Sequence, residues 1–567
     1  MRRSSLLLLY TAALGSSLLS AQPPVTVIRG GRVFDGTGAP ARAVNVVIRG
    51  NRIEALTAPG DRPAGARVID ATGKTVLPGL FDLHTHLTAS PVTGQPADWT
   101  RNVADYLRYG VTSVNDFAEY SEMYAPMRTL LSTTLHGPHV NFAARMSTPG
   151  GHGTEGGWGD FVTLTASTPE EGRARVRTAI AGHPDLIKIF TDGWRYGTSA
   201  NLTNMNVETL SAMVDEAHKG GVKVFTHTVT LAGAKLAVTA GVDALAHGIN
   251  DADADDELIA LLKAKGTFYI PTLAVFDLHG RPETPVHAAR WKHLLYSVRR
   301  LHDAGIPVAV GTDAGMPGTL HGAATLHEIE LFATAGMTPA EALVAATSVS
   351  ARALGQLTDR GTLEPGKLAD ILIVSGNPDQ NIADIEKTFA VIHDGEPFDR
   401  ASKPAPLASR KVAALVDDME NPARTRLGTL RINGSDAGSD HSTVLFTQAE
   451  RAPGNHALLV EARMSTKPNP LGLVEFPLTS GAVEPADISE WQTVTFDVRG
   501  AGAFRFLVYD SSARRPKGVA TPFKATADWT TVTIPLNGLK TAHTLAMELS
   551  GPPDSTVWLE IDNLKFN

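Results

Sequence analysis

The chain has 567 residues, 43% of them hydrophobic, and a formal net charge of -8 without long single-sign runs. That length can bury several cores and predicts roughly two to four domains, while the dispersed charge gives no footprint for nucleic acid or an anionic membrane surface. There is no cysteine, which excludes disulfides, thiolate ligands, a cysteine nucleophile and a lipidated cysteine anchor, so a metal would have to be held by histidine, carboxylate or something less usual.

At the start of the chain, Arg2-Arg3 precede an apolar run from Leu6 to Leu19 that ends in Ser20-Ala21. This is the layout of a secretory signal peptide over 1–21, and the run is shorter than the roughly 20 residues of a bilayer span. A periplasmic or secreted location is expected, with no membrane insertion after cleavage; an uncleaved anchor is the alternative. Across 22–77, strand candidates such as Val25–Ile28 and Ala43–Ile48 alternate with Gly30-Gly31, Gly50-Asn51 and Gly73-Lys74, which argues a small sheet of hairpins. It is incomplete by itself. Residues 356–402, with strand candidates Ala369–Val374 and Thr388–Ile392, are the candidate complement.

Between them, over 78–355, eight short apolar runs alternate with helical segments: Leu80–His86, Val111–Phe117, Val140–Met146, Leu186–Thr191, Lys223–Thr228, Ala244–His247, Thr267–Leu273 and Pro307–Thr312. Thr168-Pro169-Glu170-Glu171 and Thr338-Pro339-Ala340-Glu341 each offer a capping hydroxyl, proline at the first helical position and glutamate three residues after the cap. The alternation predicts an α/β fold, a parallel (β/α)8 TIM barrel, with a doubly wound sheet as the alternative. Lys403-Pro404-Ala405-Pro406 opens a linker over 403–410, and 411–567 reads as an all-β jelly-roll domain, with few contacts expected across the boundary.

In a barrel, reactive side chains gather at the C-terminal ends of the strands. His84 and His86, two apart on an extended segment, share a face. Lys188 on the fourth run, His227 at the end of the fifth, His247 at the end of the sixth and Asp313 after the eighth would join them. Singly, Lys188 reads as a surface charge, His227 and His247 as hydrogen-bonded core residues, and Asp313 as a helix cap. Joint placement at five strand ends points instead to one site.

These stretches resemble the metal-dependent amidohydrolase superfamily, in the branch near imidazolonepropionase and the prolidase-like Xaa-Pro or Xaa-Arg dipeptidases. The resemblance rests on Val76-Leu77-Pro78-Gly79-Leu80-Phe81-Asp82-Leu83-His84-Thr85-His86, Asp185-Leu186-Ile187-Lys188-Ile189, Ala246-His247-Gly248, Gly311-Thr312-Asp313-Ala314-Gly315 and Gly361-Thr362-Leu363-Glu364-Pro365-Gly366-Lys367-Leu368-Ala369-Asp370. It implies that the two flanking half-sheets join into one composite β-sandwich beside the barrel. It also implies two divalent metal ions, zinc by ligand type, with His84, His86 and Asp313 on one, His227 and His247 on the other, and a carboxylated Lys188 bridging both. Asp313 would be the general base, and His152 in Gly150-Gly151-His152-Gly153 would steady the oxyanion or orient a small-molecule substrate.

The implied reaction is hydrolysis of an amide in a dipeptide or N-acyl amino acid by a homo-oligomer. Alternatives are hydrolysis of a cyclic amide or lactone and, in another class, a non-catalytic envelope protein that binds glycan. The segment Phe225-Thr226-His227-Thr228-Val229 departs from the family pattern by lacking a nearby second histidine, as does Val114-Asn115-Asp116 by lacking arginine before the aspartate. The C-terminal part resembles the galactose-binding-like jelly rolls of the complex I intermediate-associated protein 30 type, through Leu415-Val416-Asp417-Asp418-Met419-Glu420 and Glu560-Ile561-Asp562-Asn563-Leu564; such folds often take carbohydrate.

Overall fold

The structure, a computed structural model, describes residues 24–89, 99–156, 161–193, 202–278, 280, 282–438, 440–509 and 519–567. The expected signal peptide lies outside the described residues. Among the described residues, no helix is long and apolar enough to cross a membrane.

Apolar runs bounded by turns become parallel strands that pair in chain order: β1 (Leu80–Thr85), β2 (Val111–Asp116), β3 (His139–Ser147), β4 (Leu186–Phe190), β5 (Lys223–His227), β6 (Ala244–Ala246) and β7 (Phe268–Ile270). The segment expected as an eighth strand, Pro307–Thr312, is not a regular strand. It closes the ring through separate bonds: Ala309 N donates to Tyr269 O at 2.9 Å, Leu83 N to Val310 O at 2.9 Å and Asp313 N to His84 O at 2.7 Å. Asp313 has φ +62°, which ends the extended backbone before a ladder can form. Gly311 is needed there, since a Cβ would stand 2.5 Å from Ile270 Cγ2. The architecture is a TIM barrel.

The capping devices read from sequence are present. Thr168 accepts from Glu171 N ahead of helix Pro169–Ala181, and Thr338 with Glu341 forms a capping box ahead of Pro339–Val344. That last helix continues through a π turn, Ala345–Val349, into Ser350–Ala353, where Ala351 and Ala353 pack with Phe81, Leu186, Phe225 and Ala309. These side chains fill the barrel interior, each large one contributing about 1.5–3 kcal/mol by leaving water. With the interior filled, polar groups gather at the two ends of the barrel rather than inside it.

The flanking segments share sheets. Ile371–Ser375 lies antiparallel to Lys74–Pro78, with Ile373 opposite Val76, and Ile28, Ile48, Val76, Ile371 and Ile392 make one core. The C-terminal residues form two large antiparallel sheets over a core that includes Val416, Phe476, Phe496, Phe506 and Leu559.

The C-terminal residues meet the barrel at the start of the helix Ser121–Thr133 and at the loop that follows β3. The Glu122 carboxylate accepts from Leu430 N at 3.0 Å and pairs with Arg424, Ser480 Oγ donates to Glu122 O at 3.1 Å, and Tyr120, Val162 and Ile432 form a shared apolar cluster. A proline-rich linker reports where the chain is extended; it carries no information about which loops later meet.

Candidate metal centre

All seven residues singled out in the sequence come together at the C-terminal ends of the strands. β1 pairs with β2 through a register slip between Asp82 and Thr85, a device that re-aims side chains at a barrel mouth. His84 and His86 both turn to the Asp313 carboxylate, with Nε2 to Oδ1 distances of 3.4 and 2.8 Å. Lys188 Nζ lies 3.1 Å from His84 Nε2. The rings of His84 and His247 are 4.4 Å apart between centroids, those of His247 and His227 4.5 Å, and those of His227 and His152 4.3 Å.

Burial governs the charge of this cluster. It pushes His84 well below its ordinary value, with the Lys188 charge adding to the effect, and pushes His247 down likewise, helped by His84. Burial also drives Lys188 well below the usual ammonium range, against the attraction of Asp313. Neutral imidazoles and a neutral amine are lone-pair donors, the form in which such groups bind a cation.

Positive-φ backbone concentrates here as well: His247 at +144°, Asp313 at +62° and Thr272 at +49°. Each costs about 1–3 kcal/mol and persists only where the surroundings impose it. Several supporting residues were not singled out in the sequence. Asp82, at the closure of the ring, accepts from Thr312 N and Oγ1, Thr325 Oγ1 and His84 N, and burial pushes its carboxyl up to about 6. Asp192 Oδ2 accepts from Thr228 Oγ1, Val229 N, and Thr230 N and Oγ1, while its Oδ1 stands 3.7 Å from His227 Nε2.

His247 Nδ1 bonds Thr272 Oγ1 at 2.8 Å, and buried Glu328 holds the following turn by accepting from Leu273 N and Ala274 N. Glu155 fixes the candidate His152, accepting from its Nδ1 at 2.5 Å and from Gly153 N at 2.6 Å. The main-chain carbonyl of Glu155 in turn takes Gly438 N at 2.7 Å, so the C-terminal sheets touch the loop that carries His152. Asp192 did carry a signal, a Thr-Asp-Gly after a strand, close to the Thr312-Asp313 pattern. Glu328 and Thr272 carried none.

With this geometry in view, the sequence profile described as "Amidohydrolase family" matches residues 75–395, and the chain belongs to that family. Among curated proteins it is similar to ochratoxinase of Aspergillus niger, 27% identical over 419 residues that cover 65% of this chain and 85% of that protein. It is also similar to imidazolonepropionase of Geobacillus kaustophilus, 26% identical over 374 residues, covering 55% of this chain and 77% of that one. Among solved structures, a Xaa-Pro dipeptidase with bound methionine in the active site is 27% identical, covers 66% of this chain and 100% of its own, and superposes with a TM-score of 0.59. The A. niger ochratoxinase crystal structure is 25% identical, with coverages of 68% and 98% and a TM-score of 0.58.

The protein is therefore a metal-dependent amidohydrolase. Its residues fit such a metal: donor atoms of His84, His247 and Asp313, all buried, lie within 4.8 Å of one another. His84 Nδ1, also buried, has no hydrogen-bond partner among the described residues.

Proposed function

We propose that the protein is an exported hydrolase that cleaves the amide of a dipeptide or N-acyl amino acid, with His84, His86 and Asp313 holding one divalent cation and His227 and His247 a second. The observation that carries this reading is the convergence of His84, His86 and His247 on Asp313, with Lys188 beside His84, in a place where burial pushes His84, His247 and Lys188 toward the uncharged form. When bound, the two cations, zinc by donor type, polarise the scissile carbonyl and lower the pKa of a water toward neutrality.

Lys188 joins them as a carbamate. An ammonium cannot react with carbon dioxide, but the neutral amine that burial favours can: its lone pair attacks the carbon, one N–H proton passes to solvent, and the carbamate formed has a single negative charge shared by two oxygens. Asp313 takes the proton of the attacking water and delivers it to the leaving nitrogen. His152, its Nδ1 fixed by Glu155, orients the substrate carbonyl, and the C-terminal sheets steady that loop through Gly438.

Export rests on the signal-peptide layout of residues 1–21, and the substrate class on similarity to proteins named for amide substrates. Screening the purified, zinc-loaded protein against dipeptides and N-acyl amino acids tests both substrate and chemistry. The expected result is release of a free amine that stops on metal removal. Turnover of lactones with none of any amide would overturn the substrate class.

A further inference from the structure

The opposite face of the barrel carries a second cluster of ligand-type side chains. His139 opens β3, Asp370 immediately precedes strand Ile371–Ser375, and His393 closes strand Thr388–His393, so the three meet in the seam between the barrel and the small sheets. His139 Nε2 lies 3.0 Å from Asp370 Oδ2 and His393 Nδ1 3.0 Å from Asp370 Oδ1. The two rings are 4.6 Å apart between centroids, and one donor atom from each of the three residues falls within 4.8 Å of the others.

The surroundings suit a cation. Two imidazole nitrogens and one carboxylate are a common donor set for zinc, usually completed by a fourth ligand or water. The carboxylate is held from behind as well: Asp394 N donates to Asp370 Oδ1 at 3.0 Å. The half-exposed Asp394 carboxylate stands 3.6 Å from His139 Nε2 and can supply the fourth position. A cleft of about 860 Å³, lined by His139, His393, Asp394, Arg128 and Asp399 among others, gives a route from solvent.

We propose that His139, Asp370 and His393 form a structural divalent-cation site, zinc by donor type, that ties the N-terminal face of the barrel to the small sheets. The cation takes the place of the proton between each imidazole and Asp370, so loading releases protons to solvent. The site shares no residue with the rim and stands independently of the proposed reaction.

The test compares zinc content, by elemental analysis, of wild type and a His139→Arg, His393→Lys double variant after stripping with chelator, reloading with Zn²⁺ and desalting. Both replacements place a positive charge beside Asp370, but neither guanidinium nor ammonium can ligate. The expected result is one zinc per chain fewer in the variant, with turnover unchanged within a few-fold. Equal zinc content overturns the proposal and leaves a cluster held by charge alone. Should the double variant fail to fold, His139→Gln at the more exposed ligand carries the same comparison, with the same two outcomes.

Discussion

The barrel's two faces carry the same residue types in opposite states. At the rim, His84 and His86 turn to Asp313 while His227 lies near Asp192, and burial pushes His84, His247 and Lys188 toward their uncharged forms. In the seam, two histidines flank Asp370. Burial there opposes ionisation, yet the hydrogen bonds of His139 and His393 hold the carboxyl well below the usual range, and Asp370 holds His393 up against its own burial. Glu328 makes the control: as deeply buried as Asp370 but bonded only to main-chain N–H groups, it is pushed up to about 8 by burial. The balance of partners, rather than depth, decides charge. One face gathers donors that burial disfavours in their charged forms, and the other sets a carboxylate between two imidazole partners.

The largest expected effect separates the faces by function. Asp313→Asn, which cannot accept the water's proton, should lower kcat by about 10²–10⁴-fold while the fold persists, as read by steady-state kinetics alongside circular dichroism. Asp370→Asn should do the reverse, leaving kcat near wild type but costing about 3–5 kcal/mol, because two partnered histidines lose their anion; urea denaturation measures it. If Asp370→Asn abolished turnover with stability intact, the division of labour between the faces would be wrong.

A smaller effect concerns the C-terminal sheets. Ending the chain at Pro404 removes Leu430 and Ser480 from the first turn of the helix Ser121–Thr133 and Gly438 from the loop after β3, and a slight displacement of His152 should cost about 10- to 100-fold in kcat/KM. Metal content should not change, since no rim ligand lies beyond the cut. An unchanged kcat/KM would detach these sheets from the site.

The smallest effect tests Glu328. Its folded pKa of about 8 exceeds the unfolded value near 4.5, so the folded state holds the proton more tightly. That contribution is complete below about pH 4.5 and is lost as pH rises through 8. Glu328→Gln, which does not titrate, should flatten the decline of stability across that window, as followed by apparent Tm against pH. Parallel wild-type and variant profiles would mean that the main-chain bonds from Leu273 and Ala274 keep Glu328 ionised.

Much of this was written in local sequence. Strand and helix alternation between Leu80 and Ala353 and the Thr168 and Thr338 caps follow from patterns a few residues long, because hydrophobic period and capping chemistry are local; the pairing of residues near Val76 with those near Ile373 was expected only from the family resemblance. His84, His86, Lys188, His227, His247 and Asp313 could be picked out because each is a polar group in or just after an apolar run, and barrel geometry sends the C-terminal parts of such runs to one rim. Only the tertiary structure decided the rest. The irregular closure at Pro307–Thr312 depends on contacts with Ile270 and His84, and the hold of Glu328 on the turn behind Thr272 spans 55 residues. The seam cluster unites His139 with Asp370 and His393, 231 and 254 positions apart by their numbering, and Gly438 reaches Glu155 from another set of sheets. Their charge states depend on which groups burial brings together, and that juxtaposition exists only once the chain has folded.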